Sequence, residues 1–112
     1  FKENCPDTRN SKVNDIIKQL NTYEIKPIVV DPWASERDAM NEYGIRLTDI
    51  SEVKDADCII ISVAHAEFKN LSLEEIDKMY GKYTQSEKIL IDVKGIFTIE
   101  SVKKMGFSYW RL

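Results

Sequence analysis

Apolar residues recur along this chain with two different periods. In the segment 11–23, Val13, Ile16, Ile17 and Leu20 fall at i, i+3, i+4 and i+7, which predicts a helix with one buried face. Asn10 or Ser11 is placed to cap it, because a short side-chain oxygen accepts a free backbone N–H of the first turn. The run "PIVVD" (27–31) predicts a buried strand, with Pro27 at the first position, where a missing N–H costs least. A second helix is expected over 35–43, closed by Gly44, followed by a weak strand at "IRLT" (45–48) and one helical turn over 50–54. "DCIIISVAH" (57–65) is apolar on both faces and predicts the clearest strand. The helix expected over 72–80 has the capping-box spacing Ser72 and Glu75, an inner face of Leu73, Ile76 and Met79 or Tyr80, and Gly81 as its end. "KILIDVKG" (88–95) predicts another buried strand, 98–105 a helix ended by Gly106, and "SYWRL" (108–112) a final strand.

Strands that are apolar on both faces, alternating with helices, predict an α/β domain with a mostly parallel sheet covered on both sides. At 112 residues the chain is one domain, 1–112, able to bury a real core. A net charge of -3 argues against a nucleic-acid binder, although two or three cations suffice for a local phosphate pocket. The longest apolar run is too short for a membrane span. Cys5 and Cys58 do not make a disulfide framework, and Cys58, inside an apolar run, is expected in the core. With a single histidine no structural metal is expected, and a reducing cytosol is the expected compartment.

Ligands of open parallel α/β sheets bind beyond the carboxyl ends of the strands. Two lysines stand at such ends, Lys2 and Lys94, and Arg9 precedes the first helix, whose start offers free N–H groups. Together they describe an anion site, most simply for a phosphate or diphosphate. Blander readings exist for each: solvated loop lysines, and an Arg9 that pairs with Asp7. "DPW" (31–33) reads as a turn with a packed Trp33. His65 follows a strong strand and could act as a base, but a plain hydrogen-bonding role suits it better. Cys5 lies among cations with no obvious base nearby. The four glycines, 44, 81, 95 and 106, are isolated, so no Gly-rich dinucleotide turn is present.

Five stretches in order, "FKENCPDTRNSK", "VVDPWA", "DCIIISVAHAEF", "ILIDVKGIF" and "YWRL", resemble the UDP-glucose/GDP-mannose dehydrogenase family, and specifically its UDP-binding C-terminal domain. The opening form, with "RNS" where the UDP-glucose branch tends to carry "RES", looks like the branch acting on UDP-N-acetylhexosamines, such as N-acetylgalactosamine or N-acetylmannosamine. The resemblance implies a Rossmann-like three-layer domain whose first strand is largely missing, an excised piece that begins one strand late. It also implies a parent enzyme that oxidises the sugar C6 alcohol to a carboxylate in two hydride transfers to NAD. Phe1 and Lys2 match the family's "FK" pair and, with Lys94, are expected to bind the substrate; Arg9 matches an arginine that reaches toward the cofactor. No catalytic residue is expected here, since neither cysteine matches the family's nucleophile motif. The expected partners are a UDP-sugar and the N-terminal and central domains of the same enzyme, which would be a homo-oligomer in the cytoplasm. The alternatives are a UDP-glucose 6-dehydrogenase domain, a non-catalytic interaction domain, or a receiver-like domain. The last lacks its phospho-acceptor, because "CIIISVAH" ends without an aspartate.

Overall fold

Helix α1 (Lys12–Thr22) starts where Ser11 Oγ accepts the Val13 N–H at 3.1 Å. The computed structural model describes residues 1–9 and 11–112, so the alternative cap Asn10 lies outside the described residues. The chain divides into two units, Phe1–Val53 and Lys54–Leu112. In the first, α2 (Glu36–Tyr43) is capped by Ser35, whose side chain accepts the Asp38 N–H. Gly44 ends it in the left-handed conformation, at φ 66, that other residues adopt only at a cost. Ile17 of α1 and Ala39 of α2 are buried with Phe1 and Ile45, against Val13, Val29, Ala34, Tyr43 and Leu47.

The strands expected at 27–31 and 45–48 are not formed as ladders. They meet at one parallel bridge, Val29 to Leu47, supported by the Thr48 N–H donating to the Val29 carbonyl at 2.8 Å. A ladder needs successive residues to find partners on a neighbouring strand. Here Pro27 brings no N–H and Ile28 is exposed, so the apolar run has little to hold it. Lys2 and Cys5 form an isolated antiparallel bridge around a turn.

The second unit holds the sheet, β1 (Cys58–Ile61), β2 (Ile89–Asp92) and β3 (Ser108–Arg111), all parallel with β2 central. The α/β class is therefore as expected, with strands shorter than their apolar runs. Register aligns Ile59, Leu90 and Tyr109 across the sheet, and Ile61, Asp92 and Arg111 two residues on. Residues in register share a face. Ile61 and Leu90 on this face pack with Leu73 and Ile76 of α4 (Leu73–Asp77), Tyr80, Val102 of α5 (Ile99–Met105) and Phe107. Each fully buried aliphatic here, such as Leu90, contributes about 1.5–3 kcal/mol. The other face is not closed: Cys58, Ile89 and Trp110 are exposed, which corrects the expectation of a sheet apolar-buried on both sides and of a core Cys58.

The capping box of Ser72 and Glu75 forms, but α4 ends at Asp77, short of the expected 80. Gly81 does not close it; its N–H donates instead to the Ala56 carbonyl at 3.0 Å. Two short elements were not foreseen: α3 (Ala66–Lys69), which begins right after His65, and a 3-10 turn at Gln85–Glu87. Gly106 ends α5, as expected, and Thr98, expected as its first residue, caps it instead.

Candidate functional site

The opening loop is a built structure. Thr8 is buried, its hydroxyl donates to Glu42 Oε2 at 3.0 Å, and the Tyr43 hydroxyl donates to its carbonyl. Phe1 is buried and stacks on Tyr43 with ring centroids 5.6 Å apart. Asp31 Oδ1 accepts the N–H groups of Trp33 and Ala34 at 2.9 and 3.0 Å. Phe1, expected at the substrate, thus lies buried beside α2.

The two cations of this loop meet on one carboxylate. Arg9 donates Nε to Asp7 Oδ1 and Nη2 to Asp7 Oδ2, both at 3.1 Å, and Lys2 Nζ donates to Oδ2 at 3.1 Å. The Arg9 guanidinium, then its backbone N–H, then Lys2 hold the Asp7 carboxyl well below its ordinary range. Arg9 is 76% exposed and stays charged, its own pKa pushed up by Asp7. The bland pairing of Arg9 with Asp7 is therefore real, and it brings Lys2 to the same point.

Lys94 belongs to the second unit, at the carboxyl end of the central strand, and is exposed. The backbone around it is pinned at many points. The Val93 N–H donates to the Ile61 carbonyl at 2.9 Å, and the Gly95 N–H to the Asp92 carbonyl at 3.2 Å. Asp92, wholly buried, accepts the Ile96 N–H at 3.0 Å, the Phe97 N–H at 3.1 Å and the Tyr109 hydroxyl at 2.6 Å. Burial, then this bond to Asp92, push the Tyr109 phenol up to about 12, so it remains a donor at neutral pH. Arg111 donates to the Gly95 carbonyl at 3.2 Å. Gly95 has φ +63, and a Cβ there would lie 2.1 Å from Arg111 Nη2. The sequence singled out Lys94 but not Asp92, Tyr109 or Arg111. The available signal was a carboxylate ending an apolar strand, which needs donors close by.

Other candidates fall away from chemistry. His65 is fully buried, with its ring edge-on to Phe68 at 5.3 Å, a poor position for a general base. Cys5 is half-buried beside its turn. Trp33, expected to pack, is 39% exposed, because Asp31 fixes the backbone of the turn without needing the indole. A shallow groove of about 340 Å³ lined by Asn14, Lys18 and Glu42 among others contains none of the expected site residues. No helix among the described residues is long and apolar enough to cross a membrane.

Comparison with known proteins matches residues 1–99 to the UDP-glucose/GDP-mannose dehydrogenase family, UDP binding domain. The chain is 50% identical over 94 residues, 84% of its length, to a UDP-N-acetyl-D-glucosamine 6-dehydrogenase of Pseudomonas aeruginosa, of which that stretch is 21%. It is 39% identical to the protein of the same name from Salmonella typhi, over 89% of this chain and 23% of that one. A UDP-N-acetyl-D-mannosamine dehydrogenase of Methanococcus vannielii is 35% identical over 96% of this chain and 23% of its own length. The chain thus spans less than a quarter of the length of these three relatives. By the match over most of its length, the chain belongs to the UDP-glucose/GDP-mannose dehydrogenase family and corresponds to its UDP binding domain.

Proposed function

We propose that these residues are the C-terminal, UDP-sugar-recognising part of an NAD-dependent UDP-N-acetylhexosamine 6-dehydrogenase of the cytoplasm. The parent reaction turns one C6 alcohol, one water and two NAD⁺ into a carboxylate, two NADH and three protons. The observation that carries the reading is Lys94, an exposed ammonium on a pinned loop at the carboxyl end of the central parallel strand, where such sheets bind ligands. Lys2 and Arg9 supply further cations for the diphosphate and for the cofactor side, once Asp7 releases them. The relatives' names support the N-acetylhexosamine branch. Two free cysteines fit a reducing compartment.

On this reading the NAD site is built mainly by other domains of the same protein. The four glycines are isolated, with no Gly-rich dinucleotide turn, and no hydride-transfer step is assigned to these residues. The chain's task is recognition, in concert with other domains of the same protein. Titration of UDP into the chain by calorimetry or NMR tests this. Weak binding is expected, falling at least about tenfold in the Lys2→Ala, Lys94→Ala double variant, the scale of one or two lost charge-assisted bonds. Retained affinity in that variant places the site elsewhere.

A further inference from the structure

Asp92 is an unusual residue to find where it is. It ends a strand whose other members are Ile89, Leu90 and Ile91, it is fully buried, and an apolar residue there would extend the core. A carboxylate in such a place is costly unless donors surround it. Its donors are the N–H groups of Ile96 and Phe97 and the hydroxyl of Tyr109. Two of the three come from the loop that follows Lys94, and the third comes from the neighbouring strand. Tyr109 Oη also lies 3.4 Å from the Phe97 carbonyl, and Arg111, two residues further along β3, holds the Gly95 carbonyl. The contacts bracket Lys94 on both sides and leave its own side chain exposed.

We propose that Asp92 and Tyr109 are positioning residues for ligand binding: a buried carboxylate–phenol clamp that fixes the backbone of Lys94, so that affinity for the nucleotide diphosphate runs through two side chains that do not touch it. This rests on the reading of Lys94 as a diphosphate-binding cation. The physics is preorganisation: if a ligand binds only the ordered loop, its apparent Kd rises by the inverse of the ordered fraction. Tyr109→Phe keeps the ring in place and removes one donor. Asp92→Asn keeps the shape but turns one acceptor oxygen into an NH2 group facing donors.

The test is a double-mutant cycle on UDP binding, read by calorimetry, with amide exchange of residues 95–97 read by NMR. Tyr109→Phe is expected to speed exchange of the Ile96 and Phe97 amides and to raise the Kd for UDP about fourfold, as for an ordered fraction of about one quarter. In a Lys94→Ala background the same change is expected to have no further effect on Kd, because the residue being positioned is gone. Ser108→Ala is the control for a merely structural role. It removes a hydrogen bond to the Ser86 carbonyl from the same strand, and is expected to lower the melting temperature without moving Kd. A Tyr109→Phe effect that is absent, or that persists in full alongside Lys94→Ala, overturns the clamp while leaving Lys94 as a ligand residue. If Lys94→Ala itself leaves Kd unchanged, the reading of Lys94 fails first and the clamp's role in binding falls with it.

Discussion

Lys88 makes a sharp test of how this fold tolerates a buried charge. It immediately precedes β2, and its side chain is only 10% exposed. Its Nζ donates to Asp77 Oδ1 at 2.7 Å and to Gln85 Oε1 at 2.6 Å, and lies 6.0 Å from the centre of the Tyr80 ring. Gln85 in turn donates to Asp77 Oδ1 at 3.1 Å and to the Met105 carbonyl at 2.9 Å. The network ties the end of α4, the 3-10 turn and the end of α5 together. Removing one partner of a buried pair costs about 3–5 kcal/mol, because the other charge is left uncompensated. Asp77→Ala leaves the ammonium with Gln85 alone. The Asp77 side chain is 30% exposed, so water reaches the vacated position and lowers the cost to about 2 kcal/mol.

Lys88→Met keeps the apolar stem and removes the charge that most needs compensation. Asp77 then retains Gln85 and water, for a cost below about 1 kcal/mol. With about 4–8 °C per kcal/mol for a domain near this size, Asp77→Ala should melt about 10 °C below the parent and Lys88→Met within about 5 °C. Calorimetric melts at pH 7 and in acid are the assay. Lys88 first, and Gln85 after it, hold the Asp77 carboxyl below its ordinary 3.8. A depressed carboxylate contributes stability that is complete above the unfolded pKa and is lost as pH falls through the folded one. The gap between parent and Asp77→Ala should therefore be constant at neutral pH and narrow below about pH 3.8. A Lys88→Met variant less stable than Asp77→Ala, or a gap that does not narrow in acid, refutes the reasoning.

Two further outcomes follow from the loops. Asp7→Asn still offers an oxygen to the Arg9 backbone N–H, now held at 2.8 Å, but removes the charge that competes for Lys2 and Arg9. UDP should bind about threefold tighter at low salt, with the gain vanishing at high salt; weaker binding would mean that Asp7 orients the cations instead of occupying them. Gly95→Ala should cost about 1–2 kcal/mol for the left-handed backbone, plus the bond to Arg111. Gly44→Ala, at φ +66 with nothing within 4 Å of the new Cβ, meets only the backbone cost, so equal losses in chemical denaturation would deny any role to the Arg111 contact.

Local chemistry was legible in the sequence. The caps Ser11 and Ser72 act where they were read, because a cap answers to backbone groups two or three residues away. The Arg9–Asp7 pair was legible for the same reason. What depended on distant partners was not. "PIVVD" has the composition of a strand, yet pairing is decided by a neighbour elsewhere in the chain, and it meets one residue of its neighbour. The unbroken apolar run of β1 predicted two covered faces and gave no sign that Cys58 would be on the uncovered one. The strand-end rule singled out Lys94, which does stand just beyond the carboxyl end of β2. It passed over Asp92, two residues earlier, because a strand read by hydropathy absorbs the polar residue that closes it.

The central strand imposes an order of events on folding. β2 pairs only with segments far from it in sequence, β1 before and β3 after, each reached through intervening helices. Such contacts form late, since a long loop must close before any pairing rewards it. One of the three donors to the Asp92 carboxylate, the Tyr109 hydroxyl, arrives only when β3 has docked, so an intermediate holding β1 and β2 alone would carry an acid short of one donor at its growing edge. That acid resists burial until Tyr109 arrives. The binding loop and the last docked strand should then appear in a single kinetic step, and the segment that carries Lys94 should be among the first to let go on unfolding.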